Sequence, residues 1–344
     1  MDAAAMNELV FRADAPWLAP LAGWSDLAFR LLCREQGAAV CCTEMISAKG
    51  LVYGGRNTED LLTTGPEDAP LVAQVFGAEP YFMGEAVRRL RDRGFAWFDV
   101  NMGCSVHKVS KTGSGAALLR DPGLALAVAD AVIAAAGPGR VGFKLRLGWE
   151  ETPDRSGDVY LGLGRELAAR GAGWLTLHPR YARQKFSGVP RYAALTELVR
   201  AVSVPVIASG DLFRAEDGAR VLAETGAATV MYARGALGDP SVFARHKALL
   251  ASGNAPDSPS HAELEERADT PAEREALARL IRRHAELARR YSNRTALLKM
   301  RTFVPRYVRH IDGARALRRR LITCTDWDTL NVILADIPFC TDRA

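Results

Sequence analysis

The sequence predicts an α/β protein, a (β/α)₈ TIM barrel followed by a small all-helical domain at the carboxyl terminus. Between Trp17 and about Phe243, eight short apolar runs alternate with amphipathic stretches; alternation of this kind builds a parallel sheet, and a count of eight favours closure. Four polar side chains, Gln74, Asn101, Lys144 and His178, stand near the ends of four successive runs, and carboxyl-terminal strand ends are where barrel enzymes keep their chemistry. No G-x-G-x-x-G follows the first run, which argues against an open dinucleotide-binding sheet.

The expected strands are Trp17–Ala19, Val40–Thr43, Leu71–Phe76, Phe98–Asn101, Gly142–Leu147, Trp174–His178, Val206–Ala208 and Thr229–Met231. Side chains alternate faces along a strand, so in Phe143-Lys144-Leu145-Arg146-Leu147 the charged pair takes one face and the apolar trio the other. The apolar trio must meet helices, which turns Lys144 toward the barrel axis. The same parity turns Asn101 with Asp99, Gln74 with Val72, and His178 with Thr176 inward. Helical periodicity falls between these runs, over Asp26–Gln36, Glu79–Arg93, Leu124–Ala136, Val159–Arg170, Tyr192–Val202, Ala215–Thr225 and Pro240–Ala251.

A chain of 344 residues, 48% hydrophobic, exceeds the need of one barrel. We expect a catalytic barrel over 1–250, a linker over 251–262 where Ser, Pro, Asn and Gly collect, and a helical domain over 263–344. In that last part Leu277, Leu280, Ile281, His284, Leu287 and Tyr291 recur at three- and four-residue steps, making one apolar stripe. A second helix follows near Thr295–Tyr307 and a third from Ala314; Thr325-Asp326-Trp327-Asp328 caps a fourth running to about Asp336. The barrel is expected to close without this domain. The net charge of +5 is uneven: residues 281–320 carry thirteen Lys or Arg against Glu286 and Asp312, a net +11, leaving −6 for the rest. A basic segment on a mildly acidic body points to a polyanion partner. No eighteen-residue apolar run and no basic-apolar-small leader is present, so a soluble, cytoplasmic protein without a membrane partner is expected, and a monomer. Cys33, Cys41, Cys42, Cys104, Cys324 and Cys340 show no C-x-x-C spacing, which suggests neither a metal site nor disulfides.

Two loops after the last strands suit an anionic cofactor. Ser209-Gly210-Asp211 and Arg234-Gly235-Ala236 follow the seventh and eighth runs, the usual phosphate site of barrels, and a guanidinium can grip phosphate bidentately. A phosphate there, with Lys144 and Gln74 near the axis, meets the demands of flavin mononucleotide (FMN), whose reduced ring carries negative charge that Lys144 would stabilise. Pro20-Leu21-Ala22-Gly23 would lay backbone against the ring. A sugar-phosphate isomerase would also use the phosphate loops, but needs a carboxylate base, for which only Asp99 and Glu44 stand near strand ends.

With the fourth loop, Asn101-Met102-Gly103-Cys104-Ser105, the chain resembles the tRNA-dihydrouridine synthases. The correspondence runs from Ala19-Pro20 through Thr43-Glu44-Met45-Ile46-Ser47-Ala48-Lys49, Gln74-Val75-Phe76-Gly77, Asp99 to Cys104, Lys144-Leu145-Arg146 and Gly210-Asp211 to Arg234-Gly235-Ala236. The basic tail is similar to the family's RNA-binding domain. The resemblance implies FMN-dependent reduction of the C5–C6 double bond of uridine in tRNA, with NADPH (or NADH) as reductant. It implies Cys104 as general acid, and Pro20, Leu21, Gln74, Lys144, His178, Ser209, Gly210, Asp211, Arg234 and Gly235 around the flavin. Asn101 would orient the target base, while Lys108, Lys111, Arg180, Arg294, Lys299 and Arg301 would contact the RNA. Ser105, Pro179, Ser209 and Leu21 depart from the family's usual Pro, Gly, Asn and Met. The alternatives are a ribosomal RNA uridine as substrate, a flavin barrel acting on a small molecule, which leaves the basic tail unexplained, and an RNA-binding flavoprotein without turnover, which leaves Cys104 unexplained.

Overall fold

The computed structural model describes residues 8–253, 270–292 and 295–337, without the side chains of Arg56 and Asn57. Its centre is a closed parallel barrel of strands β1 (Trp17–Leu18), β2 (Val40–Cys42), β4 (Leu71–Phe76), β5 (Trp97–Met102), β6 (Val141–Arg146), β7 (Trp174–His178), β8 (Val206–Ala208) and β9 (Thr229–Tyr232), with β3 (Ile46–Ser47) beside β4. Each strand pairs with the next around the ring, β1 with β9 and β2 with β4, so no edge is left. The second strand differs from expectation. It stops at Cys42 and resumes as β3, whose Ile46 and Ser47 pair with Val75 and Phe76. The break at Thr43–Met45 frees Met45 to reach the barrel mouth.

Inward parity is as the alternation requires. Trp17, Val40, Cys42, Val72, Trp174, Ile207 and Met231 form one buried cluster inside the ring. Gly142 sits on the strand beside Trp174, where a Cβ would come within 2.0 Å of the indole. A glycine there makes space for the largest side chain of the interior. Phe11 packs on Trp17 and Trp174 at 5.2 and 5.9 Å between ring centroids and closes the end opposite the mouth. The polar residues Gln74, Asp99, Asn101, Lys144 and His178 lie farther along the same inward faces.

Outside the strands, helices cover the sheet from Leu27–Glu35, capped by Asp26, through Pro80–Asp92, Pro122–Ala136, Tyr160–Ala169, Ala193–Ala201 and Ala215–Thr225 to Val242–Ser252. The Arg30 guanidinium beneath the first of them is buried. It grips Asp68, with a closest approach of 2.6 Å, and donates to the carbonyls of Ser25 and Thr63 at 2.7 and 2.8 Å, so each charge has its partners.

The helical part comprises Pro271–Tyr291, Ala296–Tyr307, Ala314–Thr323 and Trp327–Ala335. Thr270 and Glu273 form a capping box at its start, and Asp326 caps the last helix. Most of the expected linker lies in 254–269, outside the described residues. No helix among the described residues is long and apolar enough to cross a membrane. The helical part is not an appendage: it packs on the barrel through aromatic and charged contacts, although the ring itself is closed by strand pairing. Phe303 meets Phe29 and Trp24 of the barrel, each at 4.9 Å between centroids, and His284 meets Phe29 at 5.8 Å. Asp26 accepts hydrogen bonds from Ser292 and Lys299 at 2.8 and 2.6 Å, and Arg283 pairs with Glu35 at 2.7 Å. One continuous apolar core therefore runs through both parts.

Candidate active site

A cavity of about 670 Å³ opens at the carboxyl-terminal end of the strands. Its walls include Pro20, Leu21, Asn101, Cys104, Lys144, His178, Ser209, Gly210, Asp211 and Arg234. Three strand ends thus deliver Asn101, Lys144 and His178 to one space, joined by Ser209 and Arg234 from just past β8 and β9. Lys144 makes no hydrogen bond to a described residue, and its pKa is pushed down by burial and then by Arg146, against the pull of Asp99. Asp99 moves the other way, raised by burial, which outweighs its hydrogen bond from Gln74 and the attraction of Lys144. Burial first, and then Arg146, Lys144, Arg180 and Arg234, hold His178 well below its ordinary pKa, so the imidazole is neutral near pH 7.

Cys104, half-buried at the cavity wall, is fixed through its backbone. Its N–H and that of Gly103 donate to Asn101 Oδ1 at 2.9 and 3.2 Å, and its carbonyl accepts from Ala116 N at 2.9 Å. Gly115 allows the last contact: its φ is +63°, and a Cβ would press to 2.7 Å from the Cys104 oxygen. Arg146 adds a third hold, donating through Nε to Gly103 O at 2.9 Å, while its Nη1 reaches the carbonyls of Tyr181 and Lys185. These holds fix the loop without involving Ser105, which stands where the family usually has proline. Arg146 was not a candidate, though its parity with Lys144 marked it as inward-facing.

At the other side of the mouth, Gly210 takes φ +110°, and a Cβ there would meet the His178 ring at 2.6 Å. Gly235 lies against the carbonyls of Leu212 and Phe213, at 2.5 and 2.8 Å from where its Cβ would stand. Gly210 lets its loop close on His178, and Gly235 lets the loop after β9 lie against the one after β8. The Arg234 guanidinium lies over Phe186 and Phe213, 4.4 and 4.8 Å from the ring centroids, with one nitrogen on Asp211 at 2.5 Å. Its side chain stays 39% exposed, leaving other N–H groups to face the cavity. Phe186, which also stacks near His178, carried no sequence signal beyond an aromatic in a loop.

Several candidates have other employment. Arg180 is 1% exposed and donates to Asp211, Ser187 O and Gly188 O, so its guanidinium is spent inside the protein and does not reach for RNA. The Asp211 carboxylate is occupied by Arg180 and Arg234; a carboxylate aimed at a phosphate would repel it, so its side chain instead positions the arginines. Gln74 is fully buried one layer beneath the cavity wall. Lys299 is tied to Asp26, and Arg301 donates to the carbonyl of Ile322. Lys108 and Lys111 are exposed on and after the short helix His107–Ser110. Arg294 lies outside the described residues.

Trp24, absent from the candidates, lines the cavity and is held by Phe303 and by Arg306, whose guanidinium lies 4.3 Å from the ring centroid. The helical part also meets the short helix Arg234–Gly238. It thereby adjoins the mouth and presents Arg282, Arg289, Arg290, Arg309, Arg315 and Arg319 to solvent.

The cavity has room and chemistry for a flavin: a cation free to face a polar ring edge, a neutral imidazole beside it, and a guanidinium with two Gly loops of the kind a phosphate needs. The family model described as dihydrouridine synthase matches residues 17–338. A Synechocystis sp. protein named probable tRNA-dihydrouridine synthase 1 is 33% identical over 304 residues, covering 88% of this chain and 80% of its own. The Pseudomonas aeruginosa tRNA-dihydrouridine synthase B is 30% identical over 312 residues, covering 90% and 89%. Among solved structures, a morphinone reductase variant in complex with tetrahydroNAD superposes with a TM-score of 0.50 at 13% identity, over 68% of this chain and 86% of that one. That likeness shows the barrel fold alone.

Proposed function

The chain belongs to the dihydrouridine synthase family, and from that premise we propose that it reduces the C5–C6 double bond of uridines in tRNA, with FMN in the barrel mouth and NADPH as reductant. The observation that carries this reading is the convergence of a half-buried thiol, an unpaired lysine, a neutral histidine and an exposed-edge arginine on one cavity of about 670 Å³. When bound and reduced, the flavin supplies hydride to C6 of the base. Cys104 would donate the proton to C5, on a loop whose backbone is held at three points. Lys144 offsets the negative charge of the ring edge, and a neutral His178 adds hydrogen bonding without a second charge. Arg234 and the Gly210 and Gly235 loops take the phosphate. A uracil in an A-form duplex does not present its face, so the substrate nucleotide must be extruded. The exposed arginines of the helical part, set beside the mouth, would hold the surrounding RNA, together with Lys108 and Lys111.

Mass-spectrometric mapping of dihydrouridine in RNA from cells with and without this protein tests the reaction. Loss of the modification at defined tRNA positions is expected; an unchanged tRNA pattern defeats the assignment. Cofactor placement has its own test. Arg234→Ala should release flavin from purified protein more readily than Ser209→Ala, because it removes a charge-assisted contact, typically about twice as strong as a neutral one. Full flavin occupancy in both variants, read from the visible spectrum, would remove Arg234 from the phosphate site.

A further inference from the structure

We propose that Asp99 is a positioning residue for the Cys104 loop, acting through a chain of two side-chain amides. It rests on the reading of Cys104 as proton donor. Asp99 and Gln74 face each other directly across β4 and β5. Gln74 Nε2 donates to Asp99 Oδ2 at 2.7 Å, Asn101 Nδ2 donates to Gln74 Oε1 at 2.8 Å, and Asn101 Oδ1 accepts the N–H groups of Cys104 and Gly103.

The chain can run in only one direction. At one end stand two backbone donors, which demand an oxygen from Asn101; at the other stands a carboxylate, which demands an N–H from Gln74. Turning either amide over would set N–H against N–H at the loop or oxygen against oxygen at Asp99. The carboxylate therefore holds both amides in the sense that the Cys104 loop requires. Asn101 is largely consumed by this task, with its oxygen on the loop and one N–H on Gln74, so at most one N–H is left for a base.

Asp99 Oδ1 is buried without a hydrogen-bond partner among the described residues. A proton taken up by Asp99 would sit on Oδ1 and leave Oδ2 accepting, so the direction of the chain survives a change of charge. Burial raises the Asp99 pKa, which makes that provision relevant near neutrality. Gln74 is further fixed by its backbone N–H, which donates to Thr43 Oγ1 at 3.1 Å, so the middle link cannot drift when the end is lost; it can only rotate.

The test compares Asp99→Leu, Asp99→Val and Asp99→Asn in the full-length flavoprotein. Two quantities are read: the rate of Cys104 alkylation by iodoacetamide, followed on its peptide by mass spectrometry, and the two half-reactions by stopped flow. Leucine and valine remove the acceptor; valine matches its strand neighbours and serves if the leucine variant does not fold. In both, Cys104 should be alkylated faster because its loop is freed, while oxidation of reduced flavin by RNA slows by about 10²-fold, the scale of a misplaced reacting group. Flavin reduction reports the lost attraction of Asp99 on Lys144, which all three variants share, so the comparison with asparagine isolates the chain. Asparagine keeps an acceptor oxygen, so it should restore the alkylation rate and most of the oxidative rate. Wild-type alkylation and oxidation in the leucine and valine variants would overturn the proposal. So would an asparagine variant as impaired as leucine, because the charge and not the chain would then matter. Alkylation is read without turnover, so an error about the role of Cys104 leaves the positioning result standing, and the reverse.

Discussion

Cys104→Ala should leave flavin reduction by NADPH intact and slow the oxidation of reduced flavin by substrate RNA by about 10²–10⁴-fold, the range for a lost general acid. The structure makes this a clean substitution. The loop is held by the Cys104 N–H, the Cys104 carbonyl and the Gly103 carbonyl, none of which the change removes. Only the sulfur leaves, and Gly115, Asn101 and Arg146 keep their contacts. The measurement is single-turnover stopped flow on flavin absorbance, with dihydrouridine counted by mass spectrometry. Near wild-type dihydrouridine formation would defeat Cys104 as the donor, whatever the flavin content of the variant.

A chain ending at Gly253 is expected to aggregate or populate an open state, not to persist as a working flavin barrel that has merely lost RNA binding. Removing the helical part uncovers Phe29 and Trp24 and strands the Asp26 carboxylate without Ser292 and Lys299. Each large apolar side chain returned to water forfeits roughly 1.5–3 kcal/mol, against a total margin of about 5–15 kcal/mol for a typical domain. Phe303→Ala measures the same seam in the full chain. Phe303 is 1% exposed and touches Trp24, Phe29, His284 and Tyr307, so its truncation should cost about 3–5 kcal/mol by denaturant unfolding. A soluble, flavin-loaded, cooperatively unfolding fragment 1–253 would show that the seam is dispensable.

Much of this molecule was legible in one dimension. Leu71–Phe76, Trp174–His178 and Val206–Ala208 have the predicted bounds, because a buried parallel strand is a short apolar run ended by turn residues. Lys144 was assigned its face by parity alone. The short strand β3 was not legible, since the expected strand ends at Thr43 and two residues carry no period of their own; only pairing with β4 reveals Ile46–Ser47 as a strand. Arg180 and Lys299 look available in the sequence and are paired in the structure, for a shared reason. A basic residue in a motif-rich stretch looks available until its partner, here Asp211 thirty-one residues away or Asp26 on another element, is placed beside it.

The sequence by itself determined the barrel, the basic helical tail, the family and the side of the sheet on which the polar residues gather, because periodicity and short motifs are local properties of the chain. Tertiary structure alone decided which charges are spent and which remain free. Asp99, Gln74, Asn101 and Cys104 become one hydrogen-bonded chain only when β4 lies beside β5. Lys144 is left to face the cavity while Arg146, two residues on, is consumed by three backbone carbonyls. Hydrogen bonds and ion pairs act over about 3 Å between atoms remote in sequence, so the state of each polar group is settled by packing and is not written in the spacing of the residues.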